Sequence, residues 1–385
     1  MDRNLNLPMS SLGYGCYGLS GAYGAKLSED DMISVIRKAY ELGIRYYDTS
    51  SSYTGTEEIL GKALKSFRHE ITIASKVGVT EDNKINLSRE FVKVACESSL
   101  RKLKTDYLDI YQIHFHDINT PIQETIETLE GLKKEGKIRY YGIGHIPIDK
   151  TIEYLNHGDV SFILAEMSPA NTFRYKELRY LQQKYDFNII AFSITGRGIL
   201  SGTINQHTKF VDTDLRNIDP LFKRARMISA LRITEKLKEI GLKYGKTPVQ
   251  VAISWTIKNP GVIVGLTGPT KVSHLEENSV ALNWSLDKAG IEEINQFIER
   301  EEYLLRKELY KEMEKIINSP CTTFEKTYKD LIYVLEHCIE NKFIKYEDGI
   351  EIYMKIMRIK SSDNEYYDKF NEIKQQIRSL VCYEV

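Results

Sequence analysis

Residues 44–64 read IRYYDTSSSYTGTEEILGKAL. The opening IRYY is short, apolar and aromatic, as a buried strand is, whereas EEILGKAL spaces its apolar residues as a helix does. Between them lies a polar loop that begins on Asp48 and carries Tyr53. A carboxylate at the end of a strand is often a helix cap or part of a solvated turn. This segment alone does not separate that role from a chemical one; the recurrence of the same unit along the chain does.

From about residue 10 to 283, β-rich runs alternate with longer amphipathic ones. Strands are predicted at Gly13–Tyr17, Ile44–Asp48, Ile71–Val77, Tyr107–His114, Arg139–Gly144, Phe162–Ser168, Asn188–Ile194 and Val262–Thr267. Ser28 with Asp31 forms a capping-box pattern that opens a helix ending at Gly43. Ser88 starts another helix, and Pro121 stands near the start of a third, where a missing N–H costs little. Strand followed by helix, eight times over, means parallel strands with right-handed crossovers. The expected fold is α/β, a (β/α)8 TIM barrel. An open doubly wound sheet would need a glycine-rich dinucleotide turn after its first strand, and GYGCYG at 13–18 lacks the G-x-G-x-x-G spacing. In a barrel the active site lies at the C-terminal ends of the strands. The long connection after Ile194, TGRGILSGTINQHTKFVDTDLRNIDPLFK, is then placed to fold over a ligand.

After about residue 290 the strands stop. Segments 292–318, 322–340, 347–360 and 365–380 are rich in Glu, Lys, Ile, Leu and Tyr at helical spacing. The expected organisation is a barrel over 1–290 and an all-helical C-terminal extension over 291–385, whose apolar stripes form a core of its own.

A net charge of −1 over 385 residues gives no argument for nucleic acid or an anionic membrane as a partner. The longest apolar runs fall well short of the ~18 residues that span a bilayer. Cys16, Cys96, Cys321, Cys338 and Cys382 are odd in number and widely spaced, without a CxxC, so neither a disulfide framework nor a zinc site is expected. The N-terminus MDRNLNLPMS has no charged-then-apolar signal pattern, and a cytoplasmic location is the default expectation.

The ionisable residues now fall into place. Asp48 ends the second strand and Tyr53 follows it; Lys76 lies near the end of the third strand and His114 at the end of the fourth. Each has an ordinary structural reading, but successive strand ends bring all four to one rim. A phenol with a pKa near 10 is a weak acid at neutral pH. An ammonium beside it favours the phenolate, an aspartate keeps that ammonium charged, and a histidine can orient a carbonyl oxygen. The set suits protonation of a carbonyl as hydride arrives from a nicotinamide. No metal is required.

Over residues 7–285 the sequence resembles the aldo-keto reductase superfamily. The resemblance is carried by YYDTSSSYTGTEEILGKAL, IASKVG, LDIYQIHFHD, LKKEGKIRYYGIG, FSITGRGILSG, DLRNIDPLF and GPTKVSHLEEN, in that order. It implies a (β/α)8 barrel, NADP(H) across the C-terminal face with NAD(H) as the alternative, and reversible reduction of a small-molecule carbonyl to an alcohol. By position it implies a catalytic tetrad of Asp48, Tyr53, Lys76 and His114, with Tyr53 as the acid. It places Phe192 on the nicotinamide, Ser193, Ile194, Gly196 and Gly198 in the loop that wraps the pyrophosphate, and Glu277 and Asn278 at the adenine. Gly15, Cys16 and Tyr17 also fall at the cofactor, as do Gly268, Thr270, Lys271 and His274.

Three positions depart from the family pattern. Glu166 stands where a glutamine holds the carboxamide, Gly144 and His145 where Ser-Asn is usual, and Thr270-Lys271 where a basic pair meets the extra phosphate of NADP. Residues 116–150 resemble the galactose-dehydrogenase-like branch, which hints at a sugar or sugar-derived substrate lined by Tyr17, His114 and His145. Two other functions stay open: a cofactor-binding regulatory module with little turnover, and a sugar-modifying enzyme without net redox. So does a homo-oligomer or protein partner held through the C-terminal helices.

Overall fold

The computed structural model describes residues 5–340, 343–363 and 365–381; Cys382 lies outside them. The chain divides into two compact units, Met1–Ile298 and Glu299–Val385.

In the first unit eight parallel strands close into a barrel in chain order. They are β1 (Leu12–Gly15), β2 (Tyr46–Asp48), β3 (Thr72–Val77), β4 (Leu108–Phe115), β5 (Ile138–His145), β6 (Phe162–Glu166), β7 (Asn188–Phe192) and β8 (Val262–Thr267), with β8 paired back on β1. The helices between them are α1 (Glu29–Glu41), α2 (Thr56–Leu64), α3 (Arg89–Leu103), α4 (Ile122–Lys134), α5 (Ile148–His157), α6 (Phe173–Leu181), α7 (Arg224–Tyr244) and α8 (Pro248–Lys258), and α9 (Val272–Ser279) follows β8. All eight predicted strands are present. Local sequence sets the helix ends as well. The Oγ of Ser28 accepts from the N–H of Asp31, whose carboxylate accepts from the Ser28 N–H, and Gly43 beyond α1 takes the left-handed conformation at φ 93°.

Alternation along each strand decides what faces the barrel interior. Tyr46, Ala74, Ile110, Phe162, Leu164, Ile190, Val264 and Leu266 form one buried cluster there, and Leu5, Leu7 and Met9 pack against it. The hydroxyl of Thr72, the first residue of β3, donates to the carbonyl of Pro8 (2.8 Å), which fixes this segment at the N-terminal end of the barrel. Two residues further along β2, β3, β6 and β7, the same inward face carries Asp48, Lys76, Glu166 and Phe192. On β4 it carries Gln112 and then His114. The C-terminal mouth is therefore polar over an apolar floor.

α10 (Lys288–Asn318) carries the division between the units. The second unit continues through α11 (Phe324–Glu340), α12 (Tyr346–Arg358) and α13 (Tyr366–Leu380). It has its own core, in which Met313, Leu331, Leu335, Ile352, Ile356, Phe370 and Ile377 are buried together. No described helix of the protein is long and apolar enough to cross a membrane.

Candidate active site

The loop after β2 is tied down before it reaches Tyr53. The N–H of Thr49 donates to the carbonyl of Ala74, and the hydroxyl of Ser51 to that of Lys76. The hydroxyls of Thr49 and Thr56 lie 2.7 Å apart, and that of Thr56 also donates to the carbonyl of Tyr53 (2.9 Å). The chain thus folds back on itself around Tyr53 and leads directly into α2.

Lys76 is 1% exposed, and its ammonium donates to Oδ1 of Asp48 and to the carbonyl of Thr49 (2.9 Å). Its Nζ lies 5.0 Å from the ring centroid of Tyr53. Burial works against the Lys76 charge, but the Asp48 carboxylate and, after it, Tyr53 more than compensate and hold Lys76 above its ordinary range. Tyr53 differs from the simple expectation. Burial raises its phenol, and the Lys76 ammonium offsets that rise only in part, so the net direction is upward.

His114 is buried, with Nδ1 3.5 Å from the hydroxyl of Ser50. Burial, together with Lys76 and His145, pushes its imidazole down to about 2, so the ring is neutral in the working range. Rings gather around the mouth: Tyr17 lies 4.9 Å from Tyr53, His114 5.9 Å from Tyr53, His145 5.7 Å from His114 and 5.0 Å from Phe192. Phe115 stacks on both histidines. The structure therefore brings Asp48, Tyr53, Lys76 and His114 together, with Tyr17, His145 and Phe192 around them.

The three departures have physical consequences. A Cβ on Gly144 would stand 2.9 Å from the His114 carbonyl oxygen and 3.1 Å from that of Ile113, so a serine does not fit unless β4 shifts. The neighbouring residue His145 reaches the surface at the mouth, but its imidazole lies among the rings of His114, Phe115 and Phe192, and burial pushes it down to about 4. Glu166 has both oxygens engaged by Arg197, at 2.6 and 3.0 Å, and Arg197 Nε reaches Asp219 Oδ2 at 2.7 Å. A carboxylate held in this bidentate pair is a poor partner for a carboxamide. Arg197 and Asp219 sit inside stretches quoted above but are not among the site residues expected from them. An arginine between two glycines in a polar loop was the available signal.

The cofactor positions fall at three places. Phe192 ends β7, and the next residues fold sharply, with left-handed φ at Ser193, Gly196, Arg197 and Gly198. In that loop the N–H groups of Gly196, Gly198 and Leu200 donate to carbonyls of Ser193 and Thr195. Those amides close the loop's own turns, so a pyrophosphate would be met by other groups. Ile194 is fully buried, as is Cys16, beneath the half-buried Gly15 and the more open Tyr17. The third place follows β8. Gly268 and Thr270 lead to Lys271, the exposed residue preceding α9, and His274 is exposed one turn on. Glu277 is half-buried, whereas Asn278 is buried and donates to the hydroxyl of Thr267 (2.7 Å). An exposed cation at a helix N-terminus suits a phosphate, and the Phe192 ring suits a flat aromatic group. Glu166 does not suit the role the resemblance implies for it.

A closed (β/α)8 barrel whose mouth gathers a tyrosine, a buried lysine–aspartate pair and a neutral histidine holds groups chemically able to give and take a proton. Residues 11–299 match the aldo/keto reductase family, and the chain belongs to that family. It is 32% identical over 293 residues to a probable aldo-keto reductase of Glycine max, covering 74% of this chain and 84% of that protein. It is 30% identical over 305 residues to the NADH-specific methylglyoxal reductase of Escherichia coli (strain K12), covering 74% of this chain and 93% of the other. Among solved structures, the glycerol dehydrogenase of Gluconobacter oxydans superposes with a TM-score of 0.70 at 25% identity, over 78% of this chain and 95% of that one. The protein is an oxidoreductase of the aldo-keto reductase kind.

Proposed function

We propose that this enzyme interconverts a carbonyl and an alcohol with NAD(P)H, and that Tyr53 carries the proton. The observation that supports this most directly is the buried Lys76, anchored by Asp48 and the Thr49 carbonyl and placed 5.0 Å from the Tyr53 ring. When bound, the nicotinamide supplies or accepts the hydride. Tyr53 gives its hydroxyl proton to the substrate oxygen in reduction and takes it back in oxidation. Lys76 lowers the cost of the phenolate that remains, against the upward pull of burial. Neutral His114 orients the carbonyl: with the Ser50 hydroxyl donating to Nδ1, Nε2 is left as the N–H donor. Asp48 keeps Lys76 charged.

Phe192 is the proposed platform for the nicotinamide ring, and Lys271 at the start of α9 the proposed contact for the extra phosphate of NADP. A single cation there gives a modest preference for NADP(H) and leaves NAD(H) usable. The substrate is proposed to be a small polar carbonyl or polyol, sugar-derived compounds included, lined by Tyr17, His114 and His145. The naming of two relatives as a glycerol dehydrogenase and a methylglyoxal reductase supports that class.

The test combines binding with turnover. Tyr53→Phe is expected to bind NADPH as the wild type does, by fluorescence titration, while turnover of methylglyoxal falls by about 10²–10⁴-fold, the range for a lost general acid. Full turnover in that variant would end the Tyr53 assignment.

A further inference from the structure

Gln112 lies in the middle of β4, fully buried, between inward-facing Ile110 and His114. It is paired in register with Lys76 on β3. A carboxamide facing into a barrel interior is destabilising unless its hydrogen bonds are made. An apolar residue would fill the same space without that penalty.

Four buried polar atoms in this part of the barrel have no hydrogen-bond partner: the Tyr46 hydroxyl, Oδ2 of Asp48, and Nε2 and Oε1 of Gln112. They belong to three side chains on β2 and β4, the two strands that flank β3, and the Gln112 carboxamide lies near both Tyr46 and Asp48. Their chemistry allows one arrangement that satisfies all four atoms. Lys76 occupies Oδ1 of Asp48, so Oδ2 is the oxygen left to accept. A carboxylate only accepts, which assigns it the amide N–H of Gln112. The Gln112 carbonyl oxygen then needs a donor, and the Tyr46 hydroxyl supplies it. If Tyr46 donated to Asp48 instead, the Gln112 carbonyl oxygen would be left without a donor.

We propose that Gln112 is a positioning residue for the catalytic ion pair, donating to Oδ2 of Asp48 while the Tyr46 hydroxyl holds its other end. The inference rests on the reading of Tyr53 as the proton carrier. Burial raises the carboxyl of Asp48, so the aspartate is drawn toward its neutral form. A hydrogen bond donated to the carboxylate opposes that. With Asp48 charged, Lys76 stays an ammonium and Tyr53 keeps its nearby cation. Tyr46 selects which face of the amide looks toward Asp48. Neither Tyr46 nor Gln112 touches substrate; both act through Asp48.

Infrared difference spectroscopy of the full chain reads this without a substrate, through the carbonyl stretch of a protonated carboxyl. A band absent from Asp48→Asn belongs to Asp48. In Gln112→Leu the pH at which that band is half-developed is expected to rise by about one unit, a tenfold change in the protonation equilibrium. Tyr46→Phe, which removes one hydroxyl, is expected to move it the same way by less. A midpoint unchanged in Gln112→Leu overturns the proposal. If Gln112→Leu does not fold, an unchanged midpoint in Tyr46→Phe overturns it.

Methylglyoxal turnover with NADPH, measured on the same proteins and on Tyr53→Phe, separates the two readings. Loss of turnover in Tyr53→Phe with no spectroscopic shift in the Gln112 and Tyr46 variants removes only the Gln112 assignment. Full turnover in Tyr53→Phe removes the tyrosine reading, and the catalytic meaning of Gln112 with it.

Discussion

Asp109, at the start of β4, and Asp48, at the end of β2, are both buried acids facing basic partners. Asp109 accepts from the backbone N–H of Ile73 (2.9 Å), pairs with Arg68 (2.8 Å) and Arg139 (3.1 Å), and both guanidiniums lie over the ring of Tyr107. Every contact there is to a group that does not give up a proton under ordinary conditions. Asp48 has one lysine, and its second oxygen has no partner. Lysine is the base whose proton moves when its surroundings change. The N-terminal end of the barrel is organised to hold, the C-terminal end to let charge shift, as expected where barrels separate stability from chemistry.

Exchanging the two acids' fates is the strongest way to break that contrast. Asp109→Ala leaves two arginines over an emptied site and should cost about 3–5 kcal/mol, the range for breaking a buried pair. Denaturant unfolding measures this, and turnover per folded molecule should be kept. Asp48→Asn keeps an acceptor for Lys76, and a lysine can shed its charge where an arginine cannot, so its stability loss should be the smaller of the two, with methylglyoxal turnover down by about 10²-fold, the lower range for a disabled proton carrier. Equal stability losses in the two variants would erase the distinction.

Gly144→Ser is next in size. It restores the residue usual in the family, yet the new Cβ presses on the His114 carbonyl. A stability loss of about 1–3 kcal/mol is expected from such overpacking, with lower turnover as His114 moves. A neutral outcome would show that β4 yields at its upper end.

The last comparison concerns pH. His114 is held at about 2 in the folded protein against an ordinary 6.5. As pH falls below 6.5 the unfolded chain takes up this proton first, so the stability His114 contributes is whole above 6.5 and drains away toward 2. His114→Phe should therefore show a shallower fall in Tm on acidification. An unchanged slope would mean the ring is more open to water than its surroundings suggest.

Much of this was legible in the sequence, for reasons that also explain what was missed. The eight strands showed because both faces of each are covered, leaving short apolar runs between amphipathic ones. Their ends ran long: Cys16 and Ile194 are buried and apolar but lie outside the sheet, Cys16 in a tight helical turn (Cys16–Ser20) and Ile194 after Ser193, whose left-handed φ ends β7. Periodicity reports burial, not pairing. Asp48, Tyr53, Lys76 and His114 were legible because each falls at or just after a strand end. Arg197 and Asp219 were not, since their meaning lies in a contact between segments far apart in sequence. Gln112 left one trace, a polar letter inside an apolar strand.

The Arg197 clamp has a consequence for how this chain breaks. Arg197 is bound to Glu166 on one side and to Asp219 on the other, so the long connection after β7 is gripped at both of its ends, while Gly202, Thr203, Asn205 to His207 and Val211 to Thr213 lie exposed between them. Proteases cut such exposed tips first. A nick there severs the covalent chain without releasing either fragment, and the two pieces should travel together through gel filtration and part in denaturant. Insertions at the same tip should be tolerated, because lengthening a loop whose ends are already fixed adds little closure entropy.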